Sequence, residues 1–260
     1  MLGAITGDII GSRYEFANYK GKDFQPLFHP RASFTDDTVC TVAVADALTN
    51  GLDPTATLRA WCHRYWSTGG WGHRFASWLS GDDPAPYGSF GNGAAMRVSP
   101  AGLLARSEAE ALELAWRVTA ITHDHPEGIK AGQATALAIW LARQREPADA
   151  IRRQLSDRFG YDMARTVDGI RPGYTFTEAS QDSVPEGLIC ALQADSFEDA
   201  MRSAISIGGD SDTIAAIAGG VAEAMFGIPE AIASETWTYL PADMRAVIES
   251  LYLRAGDPTP

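Results

Sequence analysis

Apolar positions recur with a helical period along most of the chain, and the strict alternation of a strand is almost absent. TVCTVAVADALTN, at 38–50, predicts an apolar helix stopped by Gly51. Pro54 opens a second, TATLRAWCHRYW, which runs out before Gly69 and Gly70. Ser107 and Glu110 have the spacing of a capping box ahead of a helix at 108–121. GIKAGQATALAIWLAR, at 128–143, carries small or apolar residues on most faces and predicts a central helix. Further helices are predicted at 147–158, 185–194 and 197–206, and TIAAIAGGVAEAMF at 213–226 is too apolar to face water. Pro229 and Pro241 each precede a shorter helical pattern.

Two stretches break the rhythm. Residues 81–93, GDDPAPYGSFGNG, are turn chemistry throughout, and 160–182 hold the one extended candidate, around Tyr174–Thr177. Loops of this length in a compact domain tend to be functional or mobile. No low-complexity linker and no fixed repeat divides the chain. The pattern therefore predicts one all-α domain of many short helices over 1–255, with 256–260 as a short tail.

Composition narrows the function. With 45% hydrophobic residues the chain is an ordinary globular protein. A net charge of −12 argues against a phosphate-neutralising nucleic-acid surface, though not against a local basic pocket. Cys40, Cys62 and Cys190 are scattered and odd in number, which predicts reduced thiols in a cytoplasmic protein. MLGAITGDIIGS lacks a basic leader and carries Asp8 inside its apolar run, so no signal peptide is expected.

Two acidic clusters stand out. FTDDT supplies Thr35, Asp36 and Asp37, and GGDSDT supplies Asp210, Asp212 and Thr213, each before an apolar helix. A helix cap accounts for one acid per cluster. A hard divalent cation accounts for all four carboxylates, since Mg²⁺, Mn²⁺ and Ca²⁺ prefer oxygen donors and no Lys or Arg lies within three residues. On local sequence both readings stand.

Three smaller islands accompany them. GDIIGSRYEF reads as one helix with Asp8 and Glu15 on the same face, and Gly7 and Gly11 leave it thin enough for a second backbone to approach. Asp8 reads as a buried, hydrogen-bonded carboxyl, while Glu15 has Arg13 and Lys20 as available partners. GNGAAMR, at 91–97, is a tight turn entering a helix, where backbone amides can receive phosphate. THDHPEG places His123 and His125 before Pro126, open to a zinc ligand, a substrate-pocket histidine, or a plain cap by Asp124. The aromatics of 61–78 read mostly as core, with one or two available to stack on a purine.

Taken in order, GAITGDIIGSRYEF, FTDDT, GNGAAMR, THDHPEG and GGDSDTIAAIAGG span residues 3 to about 227, with SVPEGL at 183–188 between the last two. This series resembles the ADP-ribosylglycohydrolase family. The resemblance implies an orthogonal all-α bundle with a cleft holding two divalent cations, Mg²⁺ or Mn²⁺. It implies Thr35, Asp36 and Asp37 as metal ligands on one side and Asp210, Asp212 and Thr213 on the other. It also implies Glu15 as a mobile catalytic acid, Gly91, Asn92, Gly93 and Ala94 as a diphosphate cradle, and His123 in the ADP-ribose pocket. Some relatives carry an acid just before the Gly-Asn-Gly turn; here none is closer than Asp83, which leaves Glu15, Asp36 or Asp37 as proton acceptor. The expected activity is metal-dependent release of ADP-ribose from a protein side chain or small acceptor by a monomeric enzyme. A dinuclear phosphohydrolase cutting the diphosphate, and a non-catalytic ADP-ribose-binding protein, are the alternatives.

Overall fold

The computed structural model describes residues 1–82 and 84–260, and among these the regular structure is helical throughout, with no strand. In chain order the helices are α1 (Leu2–Gly11), α2 (Asp36–Asn50), α3 (Pro54–Arg64), α4 (His73–Ser80), α5 (Gly93–Met96), α6 (Ser99–Leu104), α7 (Glu108–Thr119) and α8 (Pro126–Arg143). There follow α9 (Ala148–Phe159), α10 (Val167–Ile170), α11 (Ser180–Leu192), α12 (Phe197–Ile207), α13 (Ser211–Phe226), α14 (Glu230–Thr238) and α15 (Ala242–Ala255). The expected single all-α domain is what the chain forms.

Its centre is the pairing of α1 with α13. Every residue of α1 is buried, as is α13 from Ser211 to Ala222. The two run antiparallel with their backbones in contact. A Cβ on Gly3 would fall 2.4 Å from the Gly219 carbonyl oxygen, one on Gly7 2.0 Å from that of Ala215, and one on Gly11 2.4 Å from Cα of Asp212. Spacing of four residues puts these three glycines on one ridge of α1. Helices α8, α11 and α12 pack on the other sides of α13, and α2, α3, α6 and α15 complete the shell.

Local differences from the sequence reading have local causes. Helix α1 stops at Gly11, where the Ser12 amide closes on the Asp8 carbonyl, so Glu15 lies on the following turn and not on the Asp8 helix. Helix α8 is capped by His125, which accepts from the Glu127 amide, while Asp124 accepts from the Gly88 amide at 2.6 Å. The Ser107 hydroxyl does cap α7, but the Glu110 carboxylate turns to Arg106 rather than completing a capping box. Tyr174–Thr177 forms no strand; one isolated bridge joins Gly91 to Ala179. The three cysteines are free and buried. No helix among the described residues is long and apolar enough to cross a membrane.

Overpacking a close helix contact costs about 1–3 kcal/mol, and a methyl against backbone has no rotamer by which to escape. Gly7→Ala is therefore expected to lower stability by about 3 kcal/mol in urea unfolding. Gly173→Ala, whose methyl meets nothing within 4 Å, is the control and should be neutral.

Candidate active site

Both acid clusters sit at the first turn of a buried helix, yet the acids do not cap. Thr35 is the N-cap of α2 and accepts from the Asp37 amide at 3.2 Å, leaving both aspartates free for other partners. Asp210, at the N-cap of α13, instead accepts from the Asn92 side-chain amide at 2.7 Å. The Thr213 hydroxyl donates to Asp37 Oδ1 at 3.3 Å and so links the clusters. Asp37 Oδ2 is buried with no partner among the described residues. Thr35, Asp36, Asp37, Asp210, Asp212 and Thr213 all line one cleft of about 520 Å³.

Asp8 builds this arrangement from behind. It is fully buried, and it accepts from the Thr35 amide at 2.9 Å, the Thr35 hydroxyl at 2.8 Å, the Thr38 amide at 3.1 Å and the Thr38 hydroxyl. Four donors from the start of α2 thus converge on one carboxylate of α1. Burial pushes its pKa up to about 6 even though those hydrogen bonds pull it down, so it is ionised at neutral pH.

Glu15 enters the same cleft from the turn after α1. One carboxylate oxygen each from Glu15, Asp210 and Asp212 lies within 4.8 Å of the others. Neither Arg13 nor Lys20 pairs with Glu15; Lys20 donates to the carbonyls of Arg171, Tyr174 and Ile207. Burial, reinforced by Asp210 and Asp8, pushes Glu15 up to about 7. Asp36, Asp37 and Asp212 are pushed well above the carboxylate range, first by burial and then by neighbouring charge. The donors are all oxygens, crowded and half-buried or buried, and Asp37 Oδ2 lacks a hydrogen-bond partner among the described residues, which fits a hard divalent cation and not zinc.

Other residues lining the cleft have the opposite polarity. Gly91, Asn92 and Gly93 line it, whereas Ala94 is fully buried beneath the turn. The turn is pinned by the Asn92 amide to the Glu178 carbonyl at 2.7 Å and by the Ser180 amide to the Phe90 carbonyl at 2.9 Å. Arg97 is 1% exposed, its Nε is without a partner, and it donates to the Thr122 hydroxyl and to His123 Nδ1. Among the described residues neither Arg97 nor Arg74 has a carboxylate partner. A guanidinium only donates, so His123 Nδ1 accepts, and its Nε2 carries the proton beside Gly91 and Gly93. Burial, then Arg97 and Arg74, holds His123 well below its ordinary pKa and keeps it neutral.

The profile of the ADP-ribosylglycohydrolase family matches residues 1–258. The chain belongs to the ADP-ribosylglycohydrolase family. It is 24% identical to the ADP-ribosylarginine hydrolase Tri1 of Pseudomonas putida (strain GB-1), over 92% of this chain and 73% of that protein. It is 25% identical to the ADP-ribosylhydrolase ARH3 of Danio rerio, over 88% of this chain and 82% of that one. A solved structure described as an ADP-ribosylglycohydrolase-related protein complex superposes with a TM-score of 0.74 at 24% identity, covering 98% and 97% of the two chains, and so shares the fold.

In this member of the ADP-ribosylglycohydrolase family the acids singled out in the sequence share one cleft, and several residues not singled out line it as well. Arg97, Tyr87, Ser89 and Arg74 line it, as does Glu178 from the loop before α11. Glu178 was signalled only by the unusual length of the 160–182 segment. Asp83 lies outside the described residues. Of the aromatics at 61–78, Phe75 alone lines the cleft, and Phe16, Phe34, Tyr87 and Phe90 supply its other rings.

Removing Asp8 strands four donors at the start of α2. Each unsatisfied buried group costs about 1–3 kcal/mol. Asp8→Ala is expected to destabilise the fold by at least about 3 kcal/mol, read as a lower denaturant midpoint, and more than Asp36→Ala does.

Proposed function

We propose that this protein hydrolyses the glycosidic bond that joins the distal ribose of ADP-ribose to a protein side chain or small acceptor. The observation that carries the reading is the two-ended cleft. Buried carboxylates crowd one wall, and the other holds an unpaired guanidinium, a neutral histidine and the Gly91–Gly93 turn. A ligand with hydroxyls at one end and a diphosphate at the other complements both walls, and family membership supplies ADP-ribose as that ligand.

Thr35, Asp36, Asp37, Asp210, Asp212 and Thr213 would hold two divalent cations, Mg²⁺ or Mn²⁺. When bound, these would supply Lewis-acid polarisation and a fixed docking point for ribose hydroxyls. The chain's own groups do the rest. Glu15, poised near neutrality, accepts a proton from the water that attacks the anomeric carbon. As the new C–O bond forms, the bond to the acceptor breaks, and the acceptor leaves with the electron pair and takes up a proton from solvent. The transition state has oxocarbenium character, which the surrounding carboxylates stabilise electrostatically. At the far wall the His123 Nε2–H donates to the ligand. The side chain of Asn92, held by Asp210, ties the Gly91–Gly93 turn to the acid wall and sets the distance between the two ends.

Arginine-linked and serine-linked ADP-ribosyl peptides, each with Mg²⁺, Mn²⁺ or chelator, should yield intact ADP-ribose from at least one linkage in a metal-dependent manner. AMP as the product would replace this reading with diphosphate cleavage. The double substitution Asp36→Ala with Asp37→Ala should abolish turnover. Without metal it should melt no lower than wild type, because it removes two carboxyl groups whose ionisation burial and neighbouring acids disfavour.

The same charges set a pH dependence. Acids whose folded pKa is raised bind more protons folded than unfolded between the two values, so metal-free stability falls as pH rises through that window. A cation offsets the repulsion only where the acids are ionised. The rise in Tm on adding Mg²⁺ should therefore be larger at about pH 8 than at about pH 5.5. Equal rises at both would remove the cation from the acid wall.

A further inference from the structure

Residues Phe16–Lys20 are exposed, yet Asn18 and Lys20 tie this segment to the turn between α12 and α13. The Asn18 side-chain nitrogen donates to the carbonyls of Tyr14 at 2.8 Å, Glu15 at 2.9 Å and Gly209 at 3.0 Å. Its side-chain oxygen accepts from the Gly209 amide at 2.7 Å. One side-chain amide therefore pairs with both the N–H and the C=O of Gly209, which belong to successive peptide units, and also with the backbone carbonyl of Glu15. Gly208 and Gly209 have φ of +70° and +77°, and a Cβ on Gly208 would fall 2.8 Å from the Asn18 oxygen, so the contact needs glycine there. The next residue is Asp210. Lys20 adds a second anchor through its three carbonyls, one of them Ile207 at the end of α12.

We propose that Asn18 is a positioning residue that fixes Glu15 in register with Asp210 and Asp212. Glu15 sits on a turn with no helix to hold it, and its carboxylate has no ion pair among the described residues. The Asn18 amide is the link that makes the Glu15 backbone and the start of α13 one rigid unit. Its catalytic consequence rests on the glycohydrolase reading above. A catalytic group displaced by about 1 Å can lose up to about a hundredfold in rate, and binding of the rest of the ligand need not change.

The test is a double-mutant cycle in full-length protein, with Asn18→Ala and Glu15→Gln alone and together, on the ADP-ribosyl peptide that wild type cleaves. Asn18→Ala should lower kcat between about tenfold and a hundredfold, with KM and ADP-ribose affinity within about twofold of wild type. In the Glu15→Gln background it should cost nothing further, because the group it positions is already gone. Equal losses in both backgrounds, or a loss confined to KM or Tm, would overturn the proposal. Hydrogen exchange separates this failure from failure of the function reading. If wild type releases no ADP-ribose, faster exchange across 14–18 and 208–210 in Asn18→Ala still establishes the clamp. Unchanged exchange overturns it.

Discussion

The backbone contact between α1 and α13 sets the position of everything at the site. Gly3, Gly7 and Gly11 remove the side chains that would hold these helices a normal distance apart, so the start of α13 lies directly against the end of α1. Gly11 touches the Asp212 backbone, and one turn earlier on α1 Asp8 reaches sideways to gather the start of α2. One ten-residue helix thus locates two acid clusters about 170 residues apart in sequence. It does so through contacts that leave little play, since glycine against backbone has no side chain to readjust.

That closeness is also the electrostatic problem of the fold. Two carboxylates about 5 Å apart repel by about 3 kcal/mol at an effective dielectric of about 20, and this wall holds several such pairs. The metal-free chain can lower the repulsion by retaining protons, and burial first, then neighbouring charge, raises the pKa values of Glu15, Asp36, Asp37 and Asp212 accordingly. Asp8 differs. It has four donors of its own, so it stays a structural anion although it is the most enclosed of the group. The same environment therefore yields one carboxylate that holds the fold and several whose ionisation it disfavours.

Much of this was legible in the sequence, and the reasons differ by residue. Glycine at two positions four apart in an apolar helix announced close backbone contact, and Asp8 inside that helix announced a buried anchor. The all-helical fold followed from periodicity. Glu15 lines the cleft but does not share a helix with Asp8: α1 ends at Gly11, and the seven-residue spacing has no helical meaning. His125 as the cap of α8 was readable, because proline at the first helical position makes the residue before it the N-cap. Arg97 was not readable, since nothing in a sequence distinguishes a buried unpaired arginine from a solvated one. Glu178 comes from a loop without periodicity, and only contact across the fold brings it to the cleft.

The acid wall is built on two helix starts, those of α2 and α13. A helix N-terminus stabilises a nearby anion by about 0.3–1 kcal/mol, so α2 and α13 together offset only a fraction of the repulsion among their acids. Their amides are moreover largely committed: that of Asp37 goes to Thr35, those of Thr35 and Thr38 to Asp8, and that of Thr213 to Asp212. The helix starts therefore serve geometry more than charge. A first turn presents successive side chains in a fan from a rigid base, and two such turns set face to face by α1 surround a space from two sides. The deficit left after the dipoles is several kcal/mol, and an unpartnered oxygen such as Asp37 Oδ2 carries part of it. A compact multivalent positive charge between the fans would remove that deficit without the protons that the metal-free chain retains, and without disturbing the helices.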